Sequence, residues 1–303
     1  MREEQEYVDQ AMTLRRLSAP QEDSHGETTE KSHMTRVISV TSGKGGVGKT
    51  SVVSNMAYEM AKQGFKVLII DADLGLANID LHFGLTPQHN LNHFFDGSLD
   101  LETIVLDGPQ GIKILPAGSG IQTYTNLNQD QKRNFLTNLE LLNGEFDIVF
   151  IDTEAGISEN VTYFNVAAHD ILVVTTSDLT AISDAYALMK LLFLKYHERD
   201  FHLLVNCTSK RNEALDIYKK LTLVSGQFLD ISLNFLGDIP YDKHMSESIR
   251  KQKTIVELEP SSRTSNAFRS IIGRLTENAL NTKPKGTLQF FWERFFSYKG
   301  VVS

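Results

Sequence analysis

From Arg36 onward the chain alternates two kinds of pattern. Short runs that are apolar at nearly every position (RVISVT, FKVLIID, IKILPAG, FDIVFID, DILVVTT, FHLLVNC and ISLNFLGDIP) are separated by stretches with helical spacing, such as TSVVSNMAYEMAKQ, DLTAISDAYALMKLLFLKY and SSRTSNAFRSIIGRLTENAL. A strand that is apolar on both sides has both sides covered, and helices between such strands supply the cover. The pattern predicts an α/β domain over residues 36–282, three-layered and doubly wound on a mostly parallel sheet.

Both flanks break this pattern. Residues 1–17 place Tyr7, Ala11, Leu14 and Leu17 at helical spacing, which predicts a short N-terminal helix. Residues 18–35, SAPQEDSHGETTEKSHMT, hold almost no large apolar side chains and read as a disordered linker. At the other end, residues 283–303 set Leu288, Phe291, Trp292, Phe295 and Phe296 at i, i+3, i+4, i+7 and i+8, a single apolar stripe. Lys283, Lys285, Arg294 and Lys299 surround it. A helix of this kind suits the interface of an anionic membrane, with docking of the same stripe on its own domain as the alternative.

Composition removes several classes of function. The net charge of -8 argues against a mainly electrostatic nucleic-acid binder, and nucleic acid is not expected as a direct partner. The single cysteine, Cys207, excludes an internal disulfide framework and a four-cysteine metal site within one chain, and points to a reduced, cytoplasmic setting. No secretion signal or membrane span is legible. His82, His89 and His93 include an H-x-x-x-H spacing without the glutamate that a zinc protease needs, so they read as loop and surface histidines.

The chemistry is concentrated in SGKGGVGKT, residues 42–50. Between a predicted strand and a predicted helix, G-K-G-G-V-G-K-T satisfies the G-x-x-x-x-G-K-[ST] pattern of a phosphate-binding loop. Gly43, Gly45, Gly46 and Gly48 let the backbone curl so that its N–H groups, with those of Val47 and Ser51, face phosphate oxygens at a helix N-terminus. Lys49 neutralises the outer phosphates and Thr50 offers its hydroxyl to Mg²⁺. Asp152, closing the run FDIVFID, is the expected partner of that cation through a water molecule. Asp71 and Asp73 in LIIDADLGLANID end another strand at the same edge of the sheet, and one of them is expected to orient the attacking water. Lys44 is one lysine more than such a loop requires.

KGGVGKT with its early lysine, followed by DADLGLANID and DTEAGIS, resembles the MinD/ParA group of P-loop ATPases with a deviant Walker A motif. The resemblance implies ATP and ADP with Mg²⁺ as cofactors and slow hydrolysis of ATP. It also implies an ATP-dependent homodimer in which Lys44 reaches the phosphates bound by the second copy. Asp73 would then position the hydrolytic water. Asn206, in the run LLVNC, would read the adenine edge, with Pro240 in GDIPYD bordering the base. Glu154 departs from the group, which commonly has a small residue or proline there. Two further stretches, DQAMTLR at residues 9–15 and SDAYALMK at residues 183–190, resemble the FlhG/FleN flagellar-number regulators within that group. That resemblance implies activation of an FlhF-type GTPase through Gln10 and Arg15, and regulatory contacts with a FleQ-like transcription regulator or basal-body proteins. It also implies peripheral placement on the inner face of the cell membrane, with a cell pole as one location. Division-site placement, DNA partition and a non-hydrolysing nucleotide-gated scaffold are the competing readings.

Overall fold

Each of the seven apolar runs becomes a strand of one sheet. The computed structural model describes residues 35–73, 78–116, 130–131, 134, 137–138 and 145–281. The N-terminal helix with Gln10 and Arg15, most of the linker, and the stripe from Leu288 to Phe296 lie outside them. Among the described residues the strands are β1 (Arg36–Ser42), β2 (Val67–Ala72), β3 (Leu106–Asp107), β4 (Lys113–Pro116), β5 (Ile148–Ala155), β6 (Asp170–Thr175), β7 (Asp200–Thr208) and β8 (Ser232–Pro240). They lie in the order β3-β4-β2-β5-β1-β6-β7-β8, and every neighbouring pair is parallel except β3 with β4. The two-residue antiparallel β3 has no apolar run of its own and was not legible in the sequence.

Helices cover both faces, as the two-sided apolar runs require. One face carries α1 (Lys49–Lys62), α2 (Ile79–Phe83), α9 (Ile255–Leu258) and α10 (Arg263–Asn281), whose Val52, Met56, Ile255, Phe268 and Ile272 pack on Ile38, Val40, Ile69 and Phe150. The other carries α3 (Leu91–Phe95), α4 (Leu101–Ile104), α5 (Glu159–Ala167), α6 (Leu179–Tyr196) and α7 (Glu213–Phe228), packed on the alternate residues of the same strands. Between β8 and α9 runs α8 (Lys243–Arg250). None of the helices among the described residues is long and apolar enough to cross a membrane.

Two expectations are corrected here. The linker expected to run through residue 35 ends earlier, because Thr35 is buried and its Oγ1 donates to the Phe146 carbonyl at 2.8 Å. His82 is not a surface histidine: it is buried on α2, its Nδ1 is 3.1 Å from Ser54 Oγ on α1, and burial pushes its pKa down to about 4. His93 also has a local task, its Nδ1 accepting from the Asn90 N–H in a capping box of α3.

The end of the sheet away from the phosphate loop is fastened by charge. Arg36 at the start of β1 donates from Nε and Nη2 to the two oxygens of Asp170 at 2.5 and 2.7 Å, and His202 Nε2 lies 3.3 Å from the same carboxylate. Burial disfavours the charge on Asp170, but the hydrogen bonds from His202 and Arg36 outweigh it and hold the pKa down to about 2. A depressed carboxylate contributes stability that is present above its unfolded pKa and lost as pH falls through the folded one. Asp170→Ala is therefore expected to cost about 3 to 5 kcal/mol at neutral pH, because it strands a buried guanidinium. In urea melts the gap to the unsubstituted chain should narrow between pH 4 and pH 2; a gap that stays constant refutes the ion pair as its source.

Candidate active site

The loop between β1 and α1 is shaped by two close approaches. A Cβ on Gly43 would sit 2.2 Å from the Asp184 carbonyl oxygen of α6, and one on Gly48 would sit 2.5 Å from Asn206 Nδ2, so neither position accepts a side chain without displacing its neighbour. Gly48 also has φ +90, in the left-handed region that favours glycine, as does Gly46 at +77. Gly48 is the N-cap of α1 and has no side chain to cap it. The first-turn N–H groups, Lys49 to Ser51, therefore open toward the loop, the arrangement that binds anions at a helix N-terminus.

The lysine that follows is buried. Desolvation pulls the Lys49 pKa below its ordinary value, while Asp152, Asp73 and Glu154 act against that shift. Asp152 is fully buried and lies beside Asp71 in the register of β5 with β2. Burial raises Asp152 to about 6, opposed by a hydrogen bond with Thr50 and by the charge of Lys49. Burial likewise raises Asp71 to about 7, with Asp152 adding to the shift. Asp71 accepts the backbone N–H groups of Asp73, Asn78 and Ile79 at 3.1, 3.2 and 3.3 Å, so it organises the segment after β2 and does not face open solvent.

These residues fit a magnesium-bound nucleotide. Asp152 Oδ1 is buried without a hydrogen-bond partner among the described residues, next to the Thr50 hydroxyl. A hydrated cation between Thr50 and Asp152 would satisfy that oxygen, and the remaining positions would go to phosphate and water. No group of three His, Cys, Asp or Glu that could hold a metal ion is found among the described residues.

Lys44 and Asn206 are placed by tertiary contacts that the sequence did not reveal. Lys44 is turned away from its own loop: its Nζ donates to Asp178 Oδ2 at 2.6 Å and to Thr180 Oγ1 at 2.5 Å, at the N-terminus of α6. The hydrogen bond from Lys44, with those from Thr180, brings the Asp178 pKa down to about 2. Both partners are well exposed, so the pair is weak and easily exchanged. Asn206 is buried at the end of β7, where its Nδ2 donates to the Val47 carbonyl at 2.8 Å and its Oδ1 accepts the Cys207 N–H at 2.9 Å. One amide hydrogen and one lone pair remain for a base. Pro240 closes β8 and pairs with Thr208 on β7, two residues beyond Asn206. The contacts of Asp178, Thr180 and Asp184 with the loop were not legible in the sequence because nothing local ties α6 to residues 43 and 44.

The family follows from the whole length of this scaffold. The family model described as "ParA: NUBPL iron-transfer P-loop NTPase" matches residues 33–276. The chain belongs to the ParA family of P-loop ATPases. It is 38% identical over 271 residues to antiactivator FleN of Pseudomonas aeruginosa, covering 89% of this chain and 97% of that one. It is also 30% identical over 270 residues to the flagellum site-determining protein YlxH of Helicobacter pylori, covering 88% and 91%. This places it in the FleN/FlhG branch of the family. Among solved structures, the septum site-determining protein MinD of Pyrococcus horikoshii in complex with Mg-ADP shares the fold, with a TM-score of 0.65 and 24% identity over 82% of this chain and all of that one. The chain is thus a nucleotide-binding ATPase with the MinD/ParA fold.

Proposed function

We propose that this chain is an ATP-driven dimerisation switch that regulates flagellar number or placement. The observation that carries the reading is the position of the second lysine. Lys44 is held outside its own cradle by a weak, exposed ion pair, so its amine is available to a second phosphate cluster presented by another copy. The similarity to FleN and YlxH supports the flagellar assignment over division-site placement or partition, as does the DQAMTLR segment.

In this reading the loop amides of residues 43–51 and Lys49 hold the phosphates of ATP, Thr50 and, through water, Asp152 hold Mg²⁺, and Asn206 and Pro240 border the adenine. Mg²⁺ held by Thr50 and, through water, by Asp152 would supply neutralisation of phosphate charge. Asp73 orients the water that attacks that phosphate in line, while Asp71 fixes the backbone that carries Asp73. Lys44 of each copy closes the dimer over the other's nucleotide, and hydrolysis reopens it. The closed dimer presents two copies of the stripe Leu288, Phe291, Trp292, Phe295 and Phe296 to an anionic membrane, where two linked weak anchors bind far better than one. Gln10 and Arg15 act on an FlhF-type GTPase, and a FleQ-like transcription regulator or basal-body proteins are the regulatory partners. The protein would then move between the cytoplasm and the inner face of the cell membrane.

Sedimentation with Mg-ADP and with a non-hydrolysable ATP analogue, with and without vesicles rich in anionic lipid, tests the reading. The chain should be monomeric with ADP, dimeric with the analogue, and on vesicles only as the dimer. Lys44→Ala should bind nucleotide within a few-fold of the unsubstituted chain yet stay monomeric with the analogue. A variant that dimerises normally sinks the role of Lys44.

A further inference from the structure

Four carboxylates gather where two neighbouring strands end, and the reading above uses only three. Side chains alternate along a strand. On β5, Val149 and Ile151 belong to the core under α5 and Phe150 to the core under α1, so Asp152 follows Phe150 toward α1 and the phosphate loop; beyond Asp152 the register with β1 shifts, from Val40 beside Asp152 to Ser42 beside Ala155, and Glu154 lies in that irregular end of the strand. On β2, Ile69 sets the same face for Asp71 and for Asp73 just past the strand, with Ile70 and Ala72 on the other. The register places Asp71 beside Asp152 and Ala72 beside Thr153. Asp73 and Glu154 therefore form the next tier outward, half-buried where the inner pair is buried.

Glu154 is anchored in that tier. The Ser158 hydroxyl, at the N-cap of α5, donates to its carboxylate. The next residue, Ala155, abuts the loop: its Cβ lies 3.9 Å from where a Cβ of Gly45 would be. The charge of Glu154 is felt at the Lys49 amine alongside those of Asp152 and Asp73. A fixed carboxylate thus stands at the outer end of the phosphate cradle, with no cation among its hydrogen-bonding partners in the described residues.

We propose that Glu154 sets the nucleotide preference of this site, its negative charge opposing the third phosphate of ATP and leaving the two phosphates common to ATP and ADP little affected. The inference rests on the reading that the loop of residues 43–51 holds nucleotide phosphates. Coulomb repulsion falls with distance and the third phosphate is the outermost, so the cost falls mainly on the triphosphate. The consequence is a coupling. A single chain holds ATP against the repulsion of Glu154, and the cation brought by Lys44 of a second copy offsets it, so that full affinity for ATP belongs to the dimer.

The test is isothermal titration of the full chain with Mg-ADP and with a magnesium-bound non-hydrolysable ATP analogue, at a protein concentration where it is monomeric. Glu154→Gln keeps an acceptor for Ser158 and removes the charge. It should tighten the analogue about tenfold and change ADP by less than about twofold, from Coulomb interaction across a partly solvated site. Glu154→Ala should give the same split, which separates charge from the Ser158 contact. Equal tightening of both nucleotides, or no change in either, overturns the proposal. Unchanged affinities with a fall in turnover at saturating ATP overturn it as well and assign Glu154 to the attacking water. If the unsubstituted chain binds neither nucleotide, the failure belongs to the phosphate-loop reading and not to Glu154 alone.

Discussion

Lys49→Ala is expected to weaken binding of Mg-ADP and Mg-ATP by about 100-fold, the equivalent of about 2.7 kcal/mol. The reason lies in what the substitution leaves behind. In the intact site the amine is buried and offsets the charges of Asp152, Asp73 and Glu154. Charge-assisted hydrogen bonds are worth about 1.5 to 3 kcal/mol each, and removal of this donor also exposes incoming phosphates to uncompensated like charge. Titration with a fluorescent ADP derivative gives the affinity, and a thermal melt checks that the variant is folded. A loss below about fivefold would mean that the loop amides and the cation carry the phosphates without Lys49.

Asp73→Ala is the other large effect, and it should appear in a different quantity. Turnover is expected to fall by about 100- to 1,000-fold while affinity for a non-hydrolysable analogue stays within about threefold, because a group that orients water acts on the transition state and not on the bound ground state. The backbone N–H of residue 73 that donates to Asp71 is kept by alanine, so the segment after β2 keeps its anchor. The variant should accumulate as the ATP-bound dimer. Single-turnover hydrolysis with radiolabelled ATP, beside sedimentation, reads both quantities. Unchanged turnover would move the water-orienting role to another outer-tier carboxylate, and Glu154 is the one at hand.

Both expectations combine local and non-local information, and the two have different origins. The phosphate loop was legible because its function resides in contiguous residues: glycines that permit the turn, a lysine and a threonine at fixed offsets, and a strand and a helix on either side. The ends of the apolar runs likewise located Asp71 and Asp152, since ligands in open α/β sheets bind at the carboxyl ends of strands. That these two carboxylates are direct neighbours, raised to about 7 and about 6, depends on β2 pairing with β5 across more than 70 intervening residues, and no local pattern encodes that register.

The surroundings of other residues were not legible for the same reason. His82 lies in a polar-looking stretch, LHFGLTPQHNLNHFF, and only the packing of α2 on α1 takes it out of water. Gly43 looked like one more flexible loop position, whereas the Asp184 carbonyl 2.2 Å from its absent Cβ makes it a packing requirement. Asn206 was read as a base contact, and its first bond is to the loop itself at Val47.

The sequence by itself determined the α/β layering, the phosphate loop and the strand ends that carry acidic groups, because hydrophobic period and backbone conformational preference act over a few residues. Tertiary structure decided which acids share a face, where Lys44 rests, and what holds Asn206 and Glu154 in place. The contacts of Lys44 with Asp178 and of Asn206 with Val47 join residues 134 and 159 positions apart, and they form only once a parallel sheet has brought separate strand ends to one edge.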